Sequence, residues 1–459
     1  MFYWYTYAIL AIAAGGVYYA VRRASDTFHP LAFMMPVAAY LYGFVPLNSD
    51  KDVLFSYFAP HELAFVQALN MMALAAFVLG GIWGTRGLRR SQYKVNLHSY
   101  IASNTWRSHL RVMGWILGGI ALALYAYGLF NAGGFVDAYD RAKGGGRASS
   151  GYLRDFTLLA IPSIILLFLG RPKNKSWSYW AGILVLSSPL LVHGLLSARR
   201  GPTFMGIATL AIGWYLSRER RPSLKALMSG GAGVALLLLI LVTFRSQIYI
   251  GSSFFSAEGP STSEVLSRTL EKRTETSSGN EFVYGSYVVL QASQEGDYFW
   301  GGRYLTYLFV RPIPSFVWPT KYRDVGMESL FVNAGTFGKN GNAEAETTYI
   351  DVPDGAAPGF VGDLFVEFSW GAIPATFFVG WFFAFVWRRS VTHGGLWALV
   401  HACTLVLSLY FITQTAEAFV IRFLVILVPT ILLWQYQARR YAPLAQMKAT
   451  LTFVHLPPS

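Results

Sequence analysis

Two kinds of residue in this chain could do chemistry: arginines at the ends of apolar runs, and carboxylates inside one long polar insert. Arg199 and Arg200 stand together in SARRGPTF, Arg245 closes an apolar run, and Arg422 lies just inside another. A guanidinium is a planar fork that matches two phosphate oxygens, so paired forks suit a diphosphate. The competing reading is that these side chains snorkel to lipid headgroups. In SARRGPTF, Gly201 and Pro202 are expected to force the turn between two helices. For Arg422 the alternative is an internal ion pair with Glu417. The glycine-rich stretch NAGGFVDAYDRAKGGGRASSGY (Asn131 to Tyr152) carries Arg141, Lys143 and Arg147, with Arg154 just beyond. Glycine lets backbone approach a ligand closely, so this loop either grips phosphate or sugar or is a flexible linker.

The carboxylates lie between about Arg245 and Trp370. Glu344 and Glu346 fall in GNAEAETTY, and Asp363 and Glu367 are four apart in GDLFVEF. If that second segment is helical, its two acids share one face. Any of the four would serve as a general base that takes a hydroxyl proton; the plainer reading is surface acids and a capped helix start. Arg311 and Lys321 bracket RPIPSFVWPTK, and with Arg303 and Arg323 they put cations beside these acids. Trp300, Tyr304, Tyr307, Phe316 and Trp318 offer faces for sugar stacking. Asp50-Lys51-Asp52 is a weak DxD, and His193 reads as a core histidine. Cys403 is the only cysteine, which excludes disulfides and thiol redox motifs. No cluster has metal-ligand spacing and no P-loop surrounds Gly338-Lys339, so neither metal nor cofactor is expected.

These residues are embedded in a membrane sequence. Of 459 residues, 54% are hydrophobic and only 13% charged, and the mean hydropathy is +0.39; soluble domains carry roughly 25% charged residues. The net charge of +13 does not imply nucleic acid, because the Lys and Arg cluster between apolar runs. Runs of about 17 to 25 residues, long enough to span, fall near 3–21, 31–47, 62–84, 112–131, 153–170, 179–197, 203–217, 226–244, 371–387, 396–413 and 419–437. The reading is therefore an all-α polytopic protein of about eleven spanning helices. Helices fill 1–244, a large outer loop fills 245–370, and helices and a short tail fill 371–459. Every second connection is basic, which places the N-terminus and the long insert outside and the C-terminus inside. No basic residue precedes the first run, so no cleavable signal peptide is expected.

The order of the pieces carries a resemblance. Spanning helices are followed by a GGF…Y…R…GY loop, an arginine-glycine turn, and a large outer loop with RPIPSFVWPTK. The set closes with a G-D/E-x-F/Y-x-x-F-x-x-G segment (Gly362, Asp363, Phe365, Phe368, Gly371). From about Asn131 to its C-terminal end the chain resembles the Wzy-type O-antigen polymerases, the oligosaccharide repeat-unit polymerases. Asp363 stands where a Glu is more usual, and FSWG where FGxxG is expected. The resemblance implies a GT-C-like, metal-independent membrane glycosyltransferase of the bacterial inner membrane, acting in lipopolysaccharide or related polysaccharide biosynthesis. It would move a growing glycan from undecaprenyl diphosphate onto a new lipid-linked repeat unit at the periplasmic face. It further implies a Wzx-type flippase and a Wzz-type chain-length regulator as partners, beside the lipid bilayer. An O-antigen ligase is the first alternative, but such ligases rely on a histidine in the large outer loop, and this insert has none. A flippase or permease is the second, and it predicts internal repeats, which are not found.

Overall fold

In a lipid core every backbone polar group must be satisfied within the chain, which leaves apolar runs of this length one choice, the helix. The computed structural model describes residues 1–49, 51–86, 104–141, 155–172, 177–218, 221–252, 281–296, 298–314, 316–327 and 357–453, with a few positions between 254 and 267. Among the described residues it is all-helical, with no strand. Nine helices there are long and apolar enough to cross a membrane. The helices used below are α1 (Phe2–Arg23), α2 (Pro30–Asn48), α3 (Pro60–Gly84), α4 (Asn104–Asn131), α5 (Ala160–Leu169), α6 (Trp177–Leu196), α7 (Arg200–Ser217), α8 (Leu224–Thr243), α9 (Glu281–Glu295), α10 (Gly359–Phe368), α11 (Ala372–His393), α12 (Leu396–Thr413) and α13 (Ala416–Phe453). The expected runs at 153–170 and 203–217 appear as Thr157–Leu169 and α7.

Helix starts follow local chemistry. Pro30 and Pro60 sit in first turns, where a missing N–H costs nothing. The His29 ring nitrogen accepts from Leu31 N–H, and the Glu62 carboxylate reaches back to Ala59 N–H at 2.9 Å. Ser223 caps α8 by accepting from Ala226 N–H.

The chain folds as two compact units. The first comprises Met1–Tyr93, Arg221–Arg388 and Leu407–Arg422. Its helices approach through glycine. A Cβ on Gly80 would lie 2.0 Å from the Phe377 carbonyl, and one on Gly380 would lie 2.1 Å from that of Phe77. Small residues therefore let α3 and α11 touch backbone to backbone, as helices in lipid do. Phe77, Phe360, Phe383, Phe411 and Phe419 pack ring on ring beside this contact, with centroids 5.0 to 6.4 Å apart. The basic ends of these helices meet one another. Arg221 Nε lies 2.8 Å from Asp26, which also accepts from Trp387 Nε1, and Arg388 donates to the Arg86 carbonyl. The insert packs at the other ends of the helices: α9 and α10 lie together, and Tyr42 of α2 stacks edge-on against Phe360.

The second unit comprises Lys94–Arg220, Arg389–Val406 and Phe423–Ser459. Every residue of α5 is buried. Ser163 donates to the Gly114 carbonyl of α4, and Gly213 of α7 lies against the Phe168 ring. The ten residues of α5 extend only ~15 Å, and neighbouring helices cover all of them.

Candidate active site

The one fully buried arginine-carboxylate cluster among the described residues lies in the first unit. Arg303 is 2% exposed, and Asp363 and Glu367 are 0% exposed. Asp363 and Glu367 sit on α10, and its helical turn does put both acids on one face, as their spacing suggested. Arg303 comes from the single turn Gly302–Leu305. Its Nε donates to Glu367 Oε1 at 2.6 Å, and its Nη2 donates to Asp363 Oδ1. The remaining acceptor oxygens are also used. Gly301 N–H donates to Glu367 Oε2 at 2.8 Å; Tyr304 OH and Ala416 N–H donate to Asp363 Oδ2 at 2.7 and 2.8 Å.

Backbone geometry sets this arrangement. Trp300 and Gly301 hold φ of +50° and +85°, which folds the chain back over the end of α10. Phe299 and Trp300 N–H groups then bond the Val366 and Glu367 carbonyls, which a helix end leaves unmatched. Ser369 (φ +52°) breaks the chain between α10 and α11. Burial opposes the charge on Arg303, but Asp363 and Glu367 outweigh it and raise the guanidinium above its ordinary value. Burial and the Asp363 carboxylate push the Tyr304 phenol far up, so Tyr304 stays a donor.

More charge lies around the triad. Glu417, in the first turn of α13, is half-buried in the field of Arg303, Asp363, Arg311 and Arg422. Arg311 stacks over Tyr307 at 5.0 Å and Arg422 over Tyr410 at 4.3 Å. Arg422 Nη1 also donates to the Ala418 carbonyl, one turn back. Burial, and then Glu417, raise the Tyr307 phenol. Lys321 is 3% exposed, and its ammonium donates to the Arg311 and Ile313 carbonyls. Burial and Arg311 lower its pKa. It closes RPIPSFVWPTK on itself, while Trp318 and Thr320 each bond Asp324 at 2.7 Å.

The other expected residues fall elsewhere. Arg245 is exposed just past α8 in the first unit. Arg199 and Arg200 lie in the second, where Arg199 caps α7 and Arg200 opens it. Gly201 and Pro202 do not make the turn as expected; they lie inside the first turn of α7. The turn is made earlier, at Ala198 (φ +46°), and Arg199 N–H bonds the Gly194 carbonyl. Proline costs little in the first turn of a helix, so it does not mark the boundary here. His193 is buried, 3.1 Å from the Ser197 hydroxyl at the end of its own helix, and its ring also packs against Tyr139 of the short helix Phe135–Tyr139, with centroids 6.2 Å apart. Glu344, Glu346, Arg147, Arg154, Lys143 and Asp50 lie outside the described residues. Among the described residues no group of three or more His, Cys, Asp or Glu is placed to hold a metal ion.

Sequence reading missed the partnership of Arg303 with the two acids. It listed Tyr304 only as a stacking ring and Glu417 only as a partner for Arg422. The available signal was that Arg303 is a cation on the side where the charge rule expects few. In comparisons with known proteins, the chain matches no family model, no curated protein and no solved structure.

Proposed function

We propose that this chain is a membrane glycosyltransferase of the Wzy type, polymerising undecaprenyl-diphosphate-linked repeat units into O-antigen or a related surface polysaccharide. In this reading the fold is GT-C-like. Thr157–Leu169 and α7 join the nine long helices to make about eleven membrane helices, and the insert is periplasmic. The N-terminus is periplasmic, the C-terminus is cytoplasmic, and the protein sits in the bacterial inner membrane beside a flippase and a chain-length regulator.

The observation that carries the reading is the charge cluster around Arg303. It ties the polar insert to α10 and to the start of α13 and gathers Arg311, Arg422 and Glu417 next to that tie. It sits away from the end where the basic connections meet. A lipid diphosphate leaving group gathers negative charge in the transition state, and preplaced guanidinium groups stabilise that charge. The attacking hydroxyl must lose a proton, for which a carboxylate nearby suffices. Two lipid-tailed substrates held in one membrane plane supply the orientation term. The test is the surface glycan of a deletion strain on a gel. Single repeats without a ladder support a polymerase. Loss of all attached glycan indicates a ligase and overturns the reading.

A further inference from the structure

The buried triad leaves the transfer without an available base among its own members. Asp363 and Glu367 are 0% exposed, and their oxygens are taken by Arg303, Tyr304, Gly301 N–H and Ala416 N–H. A hydroxyl could reach neither without dismantling the cluster. Glu417 differs on each count. It is half-buried, and among the described residues no hydrogen bond or ion pair occupies its carboxylate. Its position is nonetheless fixed, because the preceding residue is the one whose N–H is bound to Asp363. The charged groups near enough to act on it are Arg303, Asp363, Arg311 from the insert and Arg422, five residues further along α13, and Tyr307 of the insert feels its charge in turn. Arg422 folds back toward it by bonding the Ala418 carbonyl. Arg311 and Arg422, each resting on an aromatic ring, both act on the Glu417 carboxylate, which is the set of groups that a hydroxyl nucleophile beside a diphosphate requires.

Resting on the polymerase reading, we propose that Glu417 is the catalytic base of the transfer and that Arg311 and Arg422 hold the diphosphate leaving group. The acceptor hydroxyl gives its proton to Glu417 as its oxygen bonds to the anomeric carbon of the donor glycan. The bond from that carbon to the phosphate oxygen breaks, and its electron pair leaves with undecaprenyl diphosphate. The new charge faces Arg311 and Arg422, and Glu417 then releases its proton to water. No oxidant, reductant or further reactant is needed.

The test uses purified full-length protein in proteoliposomes, with lipid-linked repeat units extracted from the deletion strain. Glu417→Gln should lower turnover by about 10² to 10⁴, the range for loss of a general base, while melting temperature and binding of the lipid-linked unit stay at wild-type values. Glu417→Asp keeps the charge and the helix start, and should retain a few per cent to a half of wild-type turnover. A Gln variant within about threefold of wild type overturns the base while leaving the polymerase reading intact. If Glu417→Gln fails to fold, Glu417→Asp decides: intermediate turnover supports the base, and full or zero turnover overturns it. A wild-type protein that elongates nothing overturns the polymerase reading and the base with it.

Discussion

Asp363→Asn changes one heavy atom in the triad and tests whether it holds the insert in place. Asp363 Oδ1 accepts from Arg303, and Oδ2 accepts from Tyr304 OH and Ala416 N–H. An amide offers one acceptor oxygen and an NH₂ that can only donate. The Tyr304 hydroxyl can rotate to accept; the guanidinium and the Ala416 N–H cannot. If the amide oxygen stays with Ala416, its NH₂ faces Arg303, and a buried ion pair loses one partner, costing about 3–5 kcal/mol. If the oxygen turns to Arg303, Ala416 N–H is buried without a partner, about 1–3 kcal/mol. The Arg303 hydrogen bond also loses its anionic acceptor, a further ~1 kcal/mol. The variant takes the cheaper arrangement, so the expected loss is about 2–4 kcal/mol. At roughly 2–4 °C per kcal/mol, this lowers the melting temperature by about 4–16 °C. The assay is thermal unfolding of detergent-purified protein followed by tryptophan fluorescence. Asp324→Asn, at an exposed acid bonded by Trp318 and Thr320, is the control and should move by less than about 2 °C. An Asp363→Asn protein that melts with that control would refute the view that the triad clamps the insert.

Three other outcomes are expected. A reporter active only outside the cytoplasm should work when fused after Gln247 and stay silent after Arg171 or Arg218; activity at Arg218 would reverse the assigned sidedness. If Arg199 and Arg200 grip a diphosphate, at least one of Arg199→Lys and Arg200→Lys should cut ladder formation by roughly 10- to 150-fold, since each lost charge-assisted bond is worth about 1.5–3 kcal/mol; full ladders from both, at equal membrane abundance, mean that these arginines only snorkel. Gly80→Ala and Gly380→Ala should each sharply reduce folded protein, since a Cβ there meets backbone at 2.0 and 2.1 Å, whereas Gly15→Ala, with nothing within 4 Å, should be tolerated; gel-filtration yields compare the three.

Much of the architecture is legible before any coordinates, because lipid allows few choices. Apolar run length and basic loops marked out the nine long helices without reference to tertiary contacts. Asp363 and Glu367 could be placed on one face because their spacing of four matches a helical turn. Arg303 shows the limit. It lies 60 residues from Asp363 and 64 from Glu367, and an ion pair across that separation leaves no periodic mark in either segment. Ala198 shows another. Gly201-Pro202 is the stronger local turn signal, yet the chain turns at Ala198 and α7 begins at Arg200, with Gly194 held close against Thr203. For Glu417 the sequence showed the nearest cation, Arg422, but not Arg311, which reaches it only through the folded insert.

The bond from Ala416 N–H to Asp363 Oδ2 orders events during synthesis. Arg303 leaves the ribosome first, Asp363 and Glu367 follow, and Ala416 comes last. Until α13 inserts, Asp363 lacks its backbone donor, and Glu417, Arg422 and the Phe419 ring are all missing from the cluster. A nascent chain halted before residue 416 therefore carries the insert without its final fastening and without half of its arginine pair. Completion of the last helix therefore supplies the final bond of the cluster, and a chain cut short of Ala416 would carry Arg303, Asp363 and Glu367 without it.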